Sequence, residues 1–212
     1  MPLAEAAYDR LRNMILTGEL PPESALTENS IVERLEIGKT PVREAMRRLV
    51  LEGLLEVTPR LGYTVTPVTH DDIDNLFQLR AILEVAAADL ALDRLEASEI
   101  DRLTELSSVG YDPEDRESLM HYIGVNAEFH DIIAQGSGNR RLAELITVLM
   151  TESRRFIHIA ILSEEHGQLV RRQHEQIAAA FRARDRAGLA EIVRAHVDDG
   201  RVVVHDGMAV SA

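Results

Sequence analysis

Two short apolar runs at helical spacing, separated only by residues 36–39, constrain this chain more than any other feature. In the first, Leu26, Ile31, Val32 and Leu35 form a compact apolar set, and Thr27 stands where a hydroxyl caps a helix start. In the second, which runs from Thr40 to Val50, Val42, Ala45, Met46, Leu49 and Val50 predict one inward face. Thr40 is expected to cap this helix, and Pro41 suits its first turn because an N–H there has no partner to lose. Gly53 is expected to stop it. A short helix, a tight turn and a second helix make a helix-turn-helix. Arg43, Arg47 and Arg48 point away from the apolar face, and Lys39, the only lysine of the chain, precedes the cap.

A basic amphipathic helix on its own is more often a core helix with a solvated face than a DNA reader. The residues that follow weigh against the plainer view. Leu54–Val57 and Tyr63–Thr66 are strand-like, and they flank Thr58-Pro59-Arg60-Leu61-Gly62, a turn with one basic residue at its tip. Such a hairpin is a wing. Cap, turn, arginines and wing together predict a DNA-binding unit, with Lys39, Thr40, Arg43, Arg47, Arg48, Arg60 and Gly62 as its contact candidates.

The net charge of −13 runs against DNA binding until it is divided along the chain. Residues 1–66 hold 8 basic and 10 acidic side chains, whereas residues 67–212 hold 15 and 26. DNA affinity must therefore come from a local basic surface, with the remainder of the protein repelling DNA. With 212 residues and 45% hydrophobic content, two small domains with buried cores are expected. The absence of cysteine excludes disulfides and thiolate metal sites and agrees with a cytoplasmic protein. No membrane span or secretion signal is evident in the sequence.

After Pro67-Val68 the pattern turns wholly helical. Thr69 with Asp72 is expected to open a long helix running towards Leu95, and Ser98 with Asp101 a shorter one. A third should open at Asp112-Pro113 and end near Gly136-Ser137-Gly138. Asn139 then caps a helix that continues to about Ser163, and two more run from about Gly167 to Ala183 and from Asp185 to about Val204. Six helices with short turns predict an antiparallel bundle. The predicted fold is mainly α: a winged helix-turn-helix with a small hairpin over residues 1–68, and an all-α bundle over 69–212.

Asn126 and His130, four apart on one predicted helix, project from the same face. His174 and His196 each lie 11 residues from Asp185, so an antiparallel hairpin would set them at one height. Three imidazoles and an amide oxygen converging in a bundle core can form a shell for a divalent metal such as zinc, nickel or manganese. Taken singly, each histidine is more readily a hydrogen-bonded core or surface residue. Arg80, amid Leu76, Leu79 and Leu83, is either a cavity residue or the partner of Glu84 one turn on.

Gly18, Leu20, Pro22, Leu26, the run Thr40–Ala45, Leu49, Glu52-Gly53-Leu54, Arg60 and Gly62 resemble the winged helix-turn-helix of GntR-type bacterial transcription regulators. Leu79–Glu84, Asn126–His130, Ser137-Gly138-Asn139 and the His174 to His196 spacing resemble the ligand-binding FCD domain of the FadR subfamily. The resemblance implies a metal held by residues matching Asn126, His130, His174 and His196, and an acid-binding cavity into which Arg80 points. Arg155 and His158 are further candidates for that pocket, whereas His70, His121, His166 and His205 read as surface or cap residues. The chain departs from the family pattern in four places, one of them Asn29, where relatives often carry a basic residue. Gly38 and Lys39 stand where a serine or threonine and then an arginine are usual, and Asn126 where metal-binding members commonly carry aspartate. The expectation is a cytoplasmic, homodimeric transcription regulator, a repressor in sign, whose hold on a palindromic double-stranded DNA operator responds to a small organic acid bound near a divalent metal. A regulator with the ion itself as effector is the alternative within this class, and a metal-dependent enzyme the alternative outside it. Against the enzyme, no nucleophile with a partnered base is evident.

Overall fold

In the computed structural model, which describes residues 2–112, 114–157 and 164–211, α2 (Glu28–Leu35) opens on a capping box. The Thr27 hydroxyl accepts the Ser30 N–H at 3.0 Å, and Ser30 Oγ accepts the Thr27 N–H at 3.1 Å. Glu36 ends α2 in the left-handed region (φ 55°), which turns the chain sharply into α3 (Lys39–Leu51). The cap of α3 differs from expectation. Gly38, not Thr40, is its N-cap, and no side chain caps it. The Gly38 carbonyl accepts the Val42 N–H at 3.3 Å, so the helix starts before Thr40, whose side chain is left exposed. Pro41 still falls in the first turn, where its missing N–H leaves nothing unpaired. At the other end Gly53 (φ 73°) closes the helix as expected: its N–H meets the Val50 carbonyl and the Leu54 N–H meets that of Leu49.

Two elements of this unit lie outside the expected pattern. A first helix, α1 (Leu3–Leu16), packs Ala7, Leu11, Met14 and Ile15 against α3. The two-residue strand β1 (Ala25–Leu26) joins the wing strands β2 (Leu55–Thr58) and β3 (Gly62–Val65) in one antiparallel sheet of order β1-β3-β2. Ala25 pairs with Thr64, and Leu55 with Val65. Leu11, Ile15, Ile31, Val42, Met46, Leu49, Leu55 and Val65 are buried in one core, so helices, turn and wing form a single body.

The chain divides into two compact units, Met1–Thr69 and His70–Ala212. The second is all helix among the described residues: α4 (His70–Ala91), α5 (Ala97–Ser107), α6 (Arg116–Gly136), α7 (Arg140–Ile157), α8 (Glu164–Ala183) and α9 (Arg186–Ser211). α4 and α9 run antiparallel, since Asp89 meets Arg186 near one end and Asp74 meets Arg201 near the other. α8 and α9 form the expected hairpin, with Asp185 capping α9 by accepting the Gly188 N–H at 3.0 Å. Phe129, Phe181, Leu92, Leu95 and Leu103 fill the bundle core.

Several boundaries move. α4 stops at Ala91 rather than near Leu95, because the Arg184 guanidinium takes the carbonyls of Leu92 and Leu95 where the helix ends. α5 is capped by Glu96 with Glu99 reaching back, not by Ser98 with Asp101, since a carboxylate can accept the same N–H bonds as a hydroxyl. α6 is capped by Asp115, α8 starts at Glu164, and α9 continues to Ser211, beyond Val204. Asn139 caps α7 as expected, accepting the Leu142 N–H at 3.3 Å.

Gly62 sits at φ 108°, and a Cβ there would lie 2.7 Å from the Leu26 carbonyl oxygen. Gly62→Ala therefore strains the backbone and forces β3 away from β1. A loss of about 2 kcal/mol or more is expected in denaturant unfolding of the DNA-binding unit. An unchanged midpoint would show that the wing tolerates the side chain.

Candidate functional site

Helical spacing on α3 sorts its basic residues by direction. Arg43 and Arg47 are one turn apart and exposed, while Arg48 lies on a different side. Arg48 Cζ stands 3.6 Å from the centre of the Tyr8 ring, and its guanidinium reaches Glu52 at 3.2 Å and Glu5 at 3.7 Å. It thus ties α3 to α1 instead of joining Arg43. Tyr8 completes the tie, donating its hydroxyl to the Glu52 carboxylate at 2.8 Å. Arg60 is exposed at the tip of the wing in the left-handed region (φ 70°), and Gly62 closes the same turn opposite Thr58.

Arg43 is not idle. Its Nε and Nη2 donate to the two oxygens of Glu28 at 2.7 and 2.8 Å, a bidentate pair that holds the Glu28 carboxyl below its ordinary range. Lys39 donates to Asn29 Oδ1 at 3.2 Å and lies 3.9 Å from Glu28. Nothing in the periodicity singles out Glu28. It opens α2, and only the packing of α2 on α3 sets it against the reading helix.

In the helical unit the structure brings His130, His174 and His196 together, all buried, with one ring nitrogen of each within 4.8 Å of the others. The partners of the rings assign their protons. His130 Nδ1 lies 2.8 Å from Glu84 Oε2; Glu84 also accepts Arg80 Nε at 2.7 Å on its other oxygen. Burial alone would raise the Glu84 pKa, but the Arg80 charge and His130 hold it well below the usual carboxylate range. An ionised Glu84 only accepts, so His130 Nδ1 carries the hydrogen. His196 Nδ1 meets Gln173 Oε1 at 3.1 Å, and Gln173 is oriented by donating its amide to Asp199 at 2.6 Å. His196 Nδ1 therefore also carries the hydrogen.

Both Nε2 atoms are left as lone pairs facing each other 3.3 Å apart, and the buried His174 Nε2 has no hydrogen-bond partner among the described residues. Burial first, and then His130, pushes the His196 pKa down to about 3; burial pushes His174 well below its ordinary value. The rings are neutral donors gathered around one point. Two imidazoles at about 2.05 Å from a tetrahedral ion stand roughly 3.3 Å apart, so the donor set fits a divalent transition metal. Asn126 is half-buried and lines the adjoining cavity with Arg80, His166 and His196.

That cavity, about 70 Å³, is lined by residues of α4, α6, α8 and α9. Arg80 therefore combines both expected roles: paired with Glu84, and facing the cavity, with Nη1 3.2 Å from Ser153 Oγ. Among the described residues, Arg155 is buried on α7 with no hydrogen-bond partner for Nε or Nη2, and it does not line this cavity. His158 lies outside the described residues. His166, read from sequence as a surface or cap residue, instead lines the cavity from α8, one turn before Val170. His70 and His205 are stacked partners near Asp74, away from this site.

Residues 3–65 match the profile of the bacterial regulatory proteins of the gntR family, and residues 75–199 match the FCD domain. The chain belongs to the FCD-containing GntR family of transcription regulators. It is similar along 95% of its length to the HTH-type transcriptional repressor GlaR of Escherichia coli (28% identical, 96% of that protein). It is also similar to the uncharacterised regulator YdhC of Bacillus subtilis (26% identical, 89% of this chain and 85% of that one). The solved structure of Escherichia coli McbR/YncC has the same fold, with a TM-score of 0.80 at 24% identity over 97% of this chain and 98% of that one. Family membership makes this GntR protein a DNA-binding regulator and not an enzyme. No helix among its described residues is long and apolar enough to cross a membrane.

Because Glu28 neutralises Arg43 beside Lys39, Glu28→Gln should strengthen binding to random-sequence duplex. It should also steepen the dependence of log affinity on log salt by about 0.9, the equivalent of one phosphate contact. The gap between an in vitro selected operator and random duplex should narrow. Fluorescence anisotropy over a salt series measures both, and an unchanged gap would remove Glu28 from discrimination.

Proposed function

We propose that this GntR protein is a cytoplasmic one-component repressor that binds a palindromic operator as a homodimer, and that its FCD domain senses a small organic acid beside a divalent metal. One observation carries the reading: Arg80, Asn126 and His196 line a single cavity, and His196 is shared between that cavity and the three-histidine cluster. His130, His174 and His196 would hold the ion, which when bound supplies positive charge at the inner end of the cavity. Arg80 and Asn126 supply donors for a carboxylate next to it. The repressor sign follows that of GlaR. The cavity favours an organic effector over the ion alone, since a bare ion would leave that space without a purpose.

On the DNA side, Arg43 and Arg47 face the major groove, Lys39 and Thr40 lead the helix towards phosphates, and Arg60 at the wing tip reaches the neighbouring backbone. A two-fold dimer matches a palindromic operator because the same helix meets each half-site. Arg47→Ala should weaken operator binding by about 1 to 3 kcal/mol without changing the unfolding midpoint. Equal affinity in parent and variant would take Arg47 out of the interface.

The metal reading is tested by elemental analysis. One equivalent per chain is expected after purification without chelator, and His174→Ala should reduce it sharply while the helical content persists. A protein that is metal-free and binds none on titration would leave a purely organic pocket. For the effector, Arg80→Ala is a poor probe, since it strands Glu84 with one partner in the core, a change that typically costs about 3–5 kcal/mol. Arg80→Lys keeps the charge but loses the forked geometry. It should reduce the thermal shift given by carboxylic acids and the release of operator that follows it. A full response in Arg80→Lys would make Arg80 structural only.

A further inference from the structure

We infer that the cavity beside the histidine cluster selects a monocarboxylic acid with a short apolar tail, against dicarboxylates and polyhydroxylated acids. This rests on the effector reading above and narrows it. The lining changes character with distance from the histidines. At the cluster end stand Arg80, Asn126 and His196. About one turn or more away on each of the four helices, the lining is mainly apolar, with Phe77 on α4, Ile123 beside Tyr122 on α6, Val170 on α8, and Val203 and Val204 on α9; His166 stands a further turn along α8. A ligand whose carboxylate meets Arg80 and Asn126 must therefore run its other end into an apolar layer.

Charge counting points the same way. The one arginine lining the cavity among the described residues, Arg80, is already compensated by Glu84 at 2.7 Å. A second carboxylate would enter the apolar layer with no opposite charge, a costly desolvation. His166, at the far end, is pushed towards its neutral form by burial. Size sets the remaining limit. Gly200 belongs to the wall, and a Cβ there would stand 3.2 Å from the Phe77 ring, so the apolar end has little room to spare. A sugar acid would also carry several hydroxyls into a lining that is mostly apolar, whereas a short hydrocarbon tail needs no partners there.

The test is calorimetric titration of the full chain, its metal content checked beforehand, with acetate, butyrate, isovalerate, succinate and gluconate. Each methylene buried from acetate to butyrate should tighten binding about fourfold. Succinate and gluconate should bind at least about tenfold more weakly than butyrate. Val170→Thr, which keeps the shape and adds a hydroxyl, should weaken isovalerate about tenfold and leave metal content unchanged. Succinate or gluconate binding more tightly than butyrate and isovalerate would overturn the inference while leaving the effector reading in place. A folded, metal-loaded protein that binds none of the five would overturn both. Should Val170→Thr fail to fold, the chain-length series in the parent protein decides alone.

Discussion

The Glu84 carboxylate governs the geometry of the helical domain's interior. An ionised carboxylate out of contact with water is tolerated only where its oxygens are fully engaged, and here Arg80 takes one and His130 the other. The bond to His130 fixes which ring nitrogen carries hydrogen, and so which one is turned inwards as a lone pair. The same carboxylate pins the Arg80 guanidinium at the cavity wall. Gln173 does the corresponding task for His196 and is itself oriented by Asp199. A row of ordinary hydrogen bonds thereby turns two of the three buried rings, His130 and His196, into aligned donors.

The DNA-binding unit follows an opposite electrostatic plan. Its basic residues are few, and the acidic residues around them are close: Glu28 holds Arg43, while Glu52 and Glu5 hold Arg48. For Arg48 the pairing is architectural, since its guanidinium also covers Tyr8 and locks α1 to α3. For Arg43 the pairing would compete with DNA under the proposed reading. With a net charge of −13 and partly neutralised arginines on α3, attraction for arbitrary duplex would then be small, which would leave shape and base contacts to supply the remaining affinity.

Local chemistry was legible in the sequence, and packing was not. Thr27, Gly53 and Asn139 act on neighbours within a few residues, so their roles as caps and stops could be read directly. The matched distances of His174 and His196 from Asp185 likewise became a real meeting of rings, 4.7 Å between centroids. By contrast, α1 begins at Pro2 with no side-chain cap, and its apolar spacing alone did not announce it. The strand β1 is two residues long and exists only because β3 offers it an edge. Glu28, Gln173 and the second bond of Glu84 depend on how one helix lies against another, which no window of sequence contains.

The turn between α8 and α9 is short and anchored. Arg184 sits in the left-handed region (φ 54°) and extends its guanidinium to the carbonyls at the end of α4. The hairpin is therefore a ruler with its zero mark nailed to a neighbouring helix. One residue added between Asp185 and His196 would rotate His196 by about 100° and advance it about 1.5 Å, which takes it away from His174 and from Gln173 together. The turn itself carries no donor to the histidine cluster, yet its length is as much a part of that cluster's chemistry as the rings are.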